Sequence, residues 1–167
     1  MKKEIYNVNH IGVIRELKAE EYINDSDFCV EIISRQIEAQ KINIKGAPII
    51  VAGGYGMGSK ENFALLHELA DVIGGEVGAT RAAVDAGFTE MERQIGQTGL
   101  TVRPKLYIAC GISGAVQHRA GMDQSSMIIS INNDPNAPIN SIADYTIIGD
   151  AMDILPKMIK SYKNNML

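Results

Sequence analysis

From Gly46 onward, short runs that are apolar at nearly every position alternate with longer stretches whose apolar residues recur every three or four places. The run A-P-I-I-V-A (47–52) ends in Gly53-Gly54 and reads as a buried strand closed by a tight turn. Ser59 to Ile73 then predicts an amphipathic helix. Ser59 and Asn62 are suited to cap it, Phe63, Leu65, Leu66, Leu69, Ala70 and Ile73 share its apolar face, and Gly74-Gly75 stops it. The beat repeats. Strands are expected at 76–80, 105–110, 127–132 and 145–148. Helices are expected from 80 to Ala86 with a stop at Gly87, from Ser113 to Ala120 with a stop at Gly121, and from Asp150 to Tyr162. Strand–helix alternation with fully apolar strands predicts an α/β fold, a doubly wound, mainly parallel sheet with helices on both faces.

The first 45 residues differ in texture, with one glycine and many charges. Asp27 to Gln40 has helical spacing, and Val8 to Leu17 reads as extended. The expected organisation is a lead-in segment, 1–43, packing on a domain that spans 44–167.

A parallel sheet binds its ligand beyond the carboxyl ends of its strands, and the glycines cluster there: Gly53, Gly54, Gly56 and Gly58 after one strand, Gly111 and Gly114 after another. Glycine lets backbone approach a ligand closely, and free N–H groups at a following helix start suit phosphate. A phosphate-bearing ligand is the first expectation. The segment G-G-Y-G-M-G-S (53–59) lacks the third glycine of a dinucleotide fingerprint, and no G-K-[ST] of a P-loop occurs; it reads equally as a turn that only reverses the chain. A-C-G-I-S-G-A-V-Q-H (109–118) is stronger, with a hydroxyl and bare N–H groups at a helix start. His118 reads as a ligand contact or as a structural histidine. Thr80 and Arg81 fall at another strand end, where Arg81 is able either to meet a ligand or to pair with Asp85 one turn on.

Composition narrows the function classes. The 167 residues suit one domain, with 46% hydrophobic and 22% charged positions and a net charge of −4. No basic stripe occurs and there is no Trp, which argues against nucleic acid. No run approaches a membrane span, and the N-terminus lacks a signal-peptide apolar run. Cys29 and Cys110 stand alone and read as small buried apolar residues in a reducing, cytoplasmic setting. The histidines His10, His67 and His118 are dispersed, so no metal site, catalytic residue or nucleophile–base pair is expected.

Taken in order, G-G-x-G-x-G-S-K-E-N-F, G-A-T-R-A-A-V-D-A-G-F, Q-I-G-Q-T-G, P-K-L-Y-I-A-C-G-I-S-G-A-V-Q-H-R-A-G-M, I-N-N-D-P-N-A-P-I and A-D-Y-T-I-I-G-D make the chain resemble the FAD-binding domain of the electron transfer flavoprotein α subunit, from about Ile44 to the C-terminus. The resemblance implies a Rossmann-like FAD-binding domain and an electron carrier with no substrate of its own. It implies that Arg81, with Thr80 beside it, lies against the isoalloxazine ring. Ile95, Gly96, Gln97 and Thr98 would line the flavin, the Thr98 hydroxyl near ring N5, and His118 would approach the O2 edge. Ser113, Gly114, Ala115, Val116 and Gln117 would hold the ribityl and pyrophosphate portion, Asn132 the phosphate or adenosine part, and Asp150 with Ala151 the adenosine.

The partners implied are a β-like subunit and a flavoprotein dehydrogenase that donates electrons, with self-association expected if the chain stands alone. Three departures stand out. Tyr55 occupies the glycine-turn position where the family has Arg, Thr80 stands for Ser, and the N-terminal α/β domain of the α subunit has no counterpart here. A nucleotide module holding AMP or ADP, or a subunit-docking module without electron transfer, is the competing expectation.

Overall fold

A computed structural model of the chain describes residues 15–18, 21–24 and 43–165. The helix expected over Asp27–Gln40 and most of the extended segment expected over Val8–Leu17 lie outside these residues. Cα packing divides the chain into two units, Met1–Ala39 and Gln40–Leu167. The second unit holds the elements described below.

Five strands, β1 (Ile49–Gly53), β2 (Glu76–Ala79), β3 (Leu106–Cys110), β4 (Ile128–Asn132) and β5 (Tyr145–Ile148), form one sheet in the order β2-β1-β3-β4-β5. Every neighbouring pair is parallel; Val51 lies opposite Val77 on one side and Ile108 on the other. The helices are α1 (Phe63–Ile73), α2 (Arg81–Asp85), α3 (Val116–Arg119) and α4 (Ala151–Asn165).

The α/β expectation holds, and handedness decides which face each connection covers. Parallel crossovers are right-handed, so a connection running one way along the sheet lies on the opposite face from one running the other way. The β1–β2 connection puts α1 on the first face, where it meets α4. The chain then runs back through β3, β4 and β5, and the segments between them cover the second face. Side chains alternate accordingly: Val51, Ile108 and Cys110 enter a core with Leu66, Leu69 and Leu155, while Ile50, Ala52, Tyr107 and Ala109 enter one with Ile95, Ile112, Met122 and Ile139. Cys110 is free and buried, with its thiol pushed up to about 12 by desolvation.

Two helices are shorter than their periodicity suggests. α1 starts at Phe63 rather than Ser59, because the Asn62 amide donates to the Met57 carbonyl at 2.6 Å and holds a turn ahead of the helix. Ser59 Oγ still accepts the Asn62 N–H, at 3.4 Å. α3 holds only Val116–Arg119. Residues 112–115 stay out of the helix because the Ser113 carbonyl accepts the Ile139 N–H at 3.0 Å and Gly114 has φ +86, outside helical space. β5 is the sheet edge, with Tyr145 61% and Ile148 52% exposed. No helix among the described residues is long and apolar enough to cross a membrane.

Candidate functional site

The strand order reverses between β1 and β3, since the chain leaves β1 toward β2 and returns to β3. In open parallel sheets this is where adjacent loops part and a crevice opens at the carboxyl ends. A cleft of about 780 Å³ lies there, within the roughly 300–1,000 Å³ typical of small-molecule sites. The residues that follow β1, β2 and β3 (Gly54, Thr80, Gly111) and the last residue of β4 (Asn132) all line it.

The cleft collects Tyr55, Thr80, Arg81, Ile95, Gly96, Gln97, Thr98, Ser113, Ala115, Gln117, His118 and Asn132 from the residues singled out in the sequence. Gly114, Val116, Asp150 and Ala151 do not line it. Gly114 packs against Ile139 and Val116 is 73% exposed. The Asp150 carboxylate accepts the Met152 N–H at 2.8 Å at the start of α4, and Ala151 is buried in the first core. Sequence reasoning gave no ligand role to Gln94, Asp85, Asn133 or Asp134, which also line the cleft. For Asn133 and Asp134 the signal was present, since the Asn/Asp/Pro turn follows a strand end.

The glycine turns have a reason in packing. Gly54 N–H donates to the Cys110 carbonyl at 2.9 Å and Gly56 N–H to the Gly111 carbonyl at 3.0 Å. A Cβ on Gly54 would sit 2.1 Å from the Gly111 oxygen. These glycines let the loops after β1 and β3 touch, so the floor of the cleft is bare backbone. From Ile112 to Gln117 none of the backbone N–H groups donates to an acceptor among the described residues, and Ile112, Ser113, Ala115 and Gln117 of this run line the cleft. A row of them in a cleft wall is a place for an anionic oxygen-rich group.

Side-chain charge in the cleft is sparse. Among the described residues Arg81 is the one Lys or Arg that lines it, against Asp85 and Asp134. Arg81 Nε lies 3.3 Å from the Asp85 carboxylate, with both side chains largely exposed. The pairing alternative for Arg81 is therefore realised, and one turn of α2 carries both residues to the rim of the cleft. Thr80 accepts the Ala83 N–H with its hydroxyl at 3.4 Å and caps α2, fixing where Arg81 begins. Tyr55 is 66% exposed at the rim, its ring stacked on Phe88 at 5.8 Å between centroids. Phe88 in turn contacts Phe63, which ties this rim to the first core.

His118 is buried, with both ring nitrogens used inside the protein. Nδ1 lies 3.0 Å from the Ile95 carbonyl and Nε2 3.0 Å from the Tyr107 hydroxyl. A carbonyl only accepts, so Nδ1 carries the proton and Nε2 accepts from Tyr107. Desolvation holds the His118 pKa below its ordinary 6.5, with the Ile95 carbonyl pulling weakly the other way. His118 is thus a neutral brace between α3, β3 and the 94–98 loop. Asn132 is a second brace, donating to the Ile112 carbonyl at 2.8 Å and accepting the Asp134 N–H at 3.0 Å.

A neutral buried histidine couples stability to pH. Below 6.5 the unfolded chain takes up a proton that folded His118 resists, so its contribution is complete above that pH and declines as the pH falls toward the folded pKa. His67, also shifted down by desolvation first, acts with the same sign. Urea midpoints from pH 8 to pH 5 should fall on the acid side, at no more than about 1.4 kcal/mol per pH unit for each proton. His118→Gln should make that limb shallower; an unchanged slope would remove His118 as its source.

The family described as "Electron transfer flavoprotein FAD-binding domain" matches residues 43–123. The electron transfer flavoprotein subunit alpha of Thermoanaerobacterium thermosaccharolyticum is 49% identical over 98% of this chain and 49% of its own length. Protein FixB of Clostridium saccharobutylicum is 52% identical over 87% of the chain and 44% of its own length. The subunit alpha of Megasphaera elsdenii is 46% identical over 97% and 48%. The chain spans about half the length of these relatives. Identity at this level, together with a cleft at the sheet's reversal point, places the chain in the electron transfer flavoprotein α-subunit family, as its FAD-binding domain.

Proposed function

We propose that this chain binds FAD in the cleft and carries electrons, taking them from a flavoprotein dehydrogenase and passing them on together with a β-like subunit, without a substrate of its own. The cofactor-binding domain runs over 44–167, with 1–43 as its lead-in. The observation that carries the reading is the wall from Ile112 to Gln117, whose N–H groups lack acceptors among the described residues. It suits a pyrophosphate in a cleft where, among the described residues, Arg81 is the one Lys or Arg and stands at another strand end.

FAD when bound supplies the redox chemistry. The chain's residues bind, orient and tune. The 112–117 backbone neutralises phosphate by donation rather than by cationic side chains, which fits the absence of an arginine at Tyr55. Arg81 brings a charge that pH does not remove, beside the ring edge that becomes more negative on reduction. Ile95, Gly96, Gln97 and Thr98 would line the ring, with the Thr98 hydroxyl available to hydrogen-bond near N5. His118 holds the ring-end loop through Ile95 as a neutral group. Gly114 and Val116 shape the phosphate wall, Asn132 steadies it, and Asp150 with Ala151 flank the adenosine end.

The test is a visible spectrum of the purified chain with FAD added, followed by reductive titration. Bound flavin that bleaches reversibly is expected. Absence of uptake, or calorimetry in which AMP or ADP binds as tightly as FAD, overturns the proposal.

A further inference from the structure

Gln94 is a buried polar residue to which nothing above gives a task. It is 5% exposed, lines the cleft, and opens the loop that ends at Gly99. Its backbone is held firmly. Its N–H donates to the Met91 carbonyl at 3.0 Å, its carbonyl accepts the Leu100 N–H at 2.7 Å, and it pairs with Ala79 in a parallel bridge off the end of β2. From this anchored position its side-chain Nε2 donates to the Thr98 hydroxyl oxygen at 3.0 Å.

That bond sets the polarity of Thr98. A hydroxyl has one proton and two lone pairs. Gln94 takes a lone pair and offers an N–H, so it does not also receive the proton. Among the described residues the Thr98 proton has no acceptor. It is left for an acceptor atom in the cleft. We propose that Gln94 is a positioning residue that presents the Thr98 hydroxyl to the cleft as a hydrogen-bond donor, selecting a ligand ring that offers an unprotonated nitrogen or a carbonyl oxygen at that point. This rests on the reading that the flavin ring lies along residues 95–98.

Gln94→Glu tests the polarity. An ionised glutamate only accepts, so Thr98 must turn its proton to residue 94 and offer the cleft a lone pair instead. Gln94→Met removes donor and acceptor at similar size and leaves the hydroxyl free to rotate. The readouts are the FAD dissociation constant and the flavin midpoint potential of the full chain, for wild type, both Gln94 variants, Thr98→Val, and each Gln94 variant combined with Thr98→Val.

Thr98→Val and Gln94→Glu should each weaken FAD roughly 3- to 10-fold, the scale of one hydrogen bond, and Gln94→Met by less. In the Thr98→Val background Gln94→Met should be silent in affinity and in potential, and Gln94→Glu should keep only the part that its added charge causes, a non-additivity that loop damage would not produce. If the glutamate variant does not fold, the methionine variant is read in the same background. FAD uptake by the wild type with Gln94 variants unaffected, or with effects that add fully to that of Thr98→Val, overturns this inference alone. A Thr98→Val variant that binds like wild type overturns it as well. A wild type that takes up no FAD overturns the functional reading, and the inference with it.

Discussion

Replacing Gly114 by alanine should cost about 3 kcal/mol or more and remove FAD uptake even where the domain still folds. Two terms add. Gly114 has φ +86, and left-handed backbone costs an L-residue about 1–2 kcal/mol. A Cβ there would also lie 2.3 Å from the Ile139 nitrogen and 2.6 Å from its Cα. That neighbour is backbone, held by the Ile139 N–H to Ser113 carbonyl bond of 3.0 Å, so relief requires moving the wall that carries the free N–H groups. Overpacking of this kind typically costs a further 1–3 kcal/mol, roughly. Gly87 is the control. It has φ +75 with nothing within 4 Å of a built Cβ, so Gly87→Ala should show the conformational cost alone, about 1 kcal/mol. Chemical denaturation of both variants separates the terms; equal losses would mean that the contact with Ile139 carries no weight.

The second large effect is on the flavin potential. Arg81→Ala should lower it, because reduction adds negative charge to the ring and Arg81 is the one Lys or Arg that lines the cleft among the described residues. In a one-electron couple, about 1.4 kcal/mol of lost preferential stabilisation is roughly 59 mV. Arg81 is exposed and pairs with Asp85 at 3.3 Å, so solvent and the carboxylate screen part of its field and the shift should be that size or smaller. Asp85→Asn should move the potential the other way by unmasking the guanidinium. Arg81→Lys should fall between wild type and alanine, retaining charge without the planar fork. Spectroelectrochemical titration at low and moderate salt reads all three. A potential that does not respond to Arg81→Ala removes this residue from the ring end.

The neutrality of His118 changes how the ring end is understood. A histidine beside a flavin invites the idea of a cation that appears on acidification. Here one ring nitrogen is committed to the Ile95 carbonyl and the other to the Tyr107 hydroxyl, and burial disfavours the charged form. On the proposed reading, tuning then falls to Arg81 and to hydrogen bonding by Thr98.

Local pattern alone carried the alternation of strands and helices, the parallel sheet and the glycine clusters at strand ends. Runs such as I-I-V-A and Y-I-A-C are apolar at every position because both faces of their strands are buried, and that requirement is local enough to read from spacing. The loops of the site were legible for a similar reason: bare glycines and polar residues after a buried strand have few other uses. Tertiary packing settled what periodicity does not encode. Ser113 to Ala115 have helical spacing, yet the Ser113 carbonyl is committed to Ile139, a residue distant in sequence, and Gly114 has a φ outside helical space. The glycines after β1 and β3 face each other across the reversal point, a contact that depends on strand order. Whether a polar side chain faces a ligand or braces the wall depends on neighbours brought from other strands. His118 against Tyr107 and Asn132 against Ile112 are such pairings. Residue type made these groups candidates; three-dimensional proximity divided them between holding the cleft open and meeting what enters it.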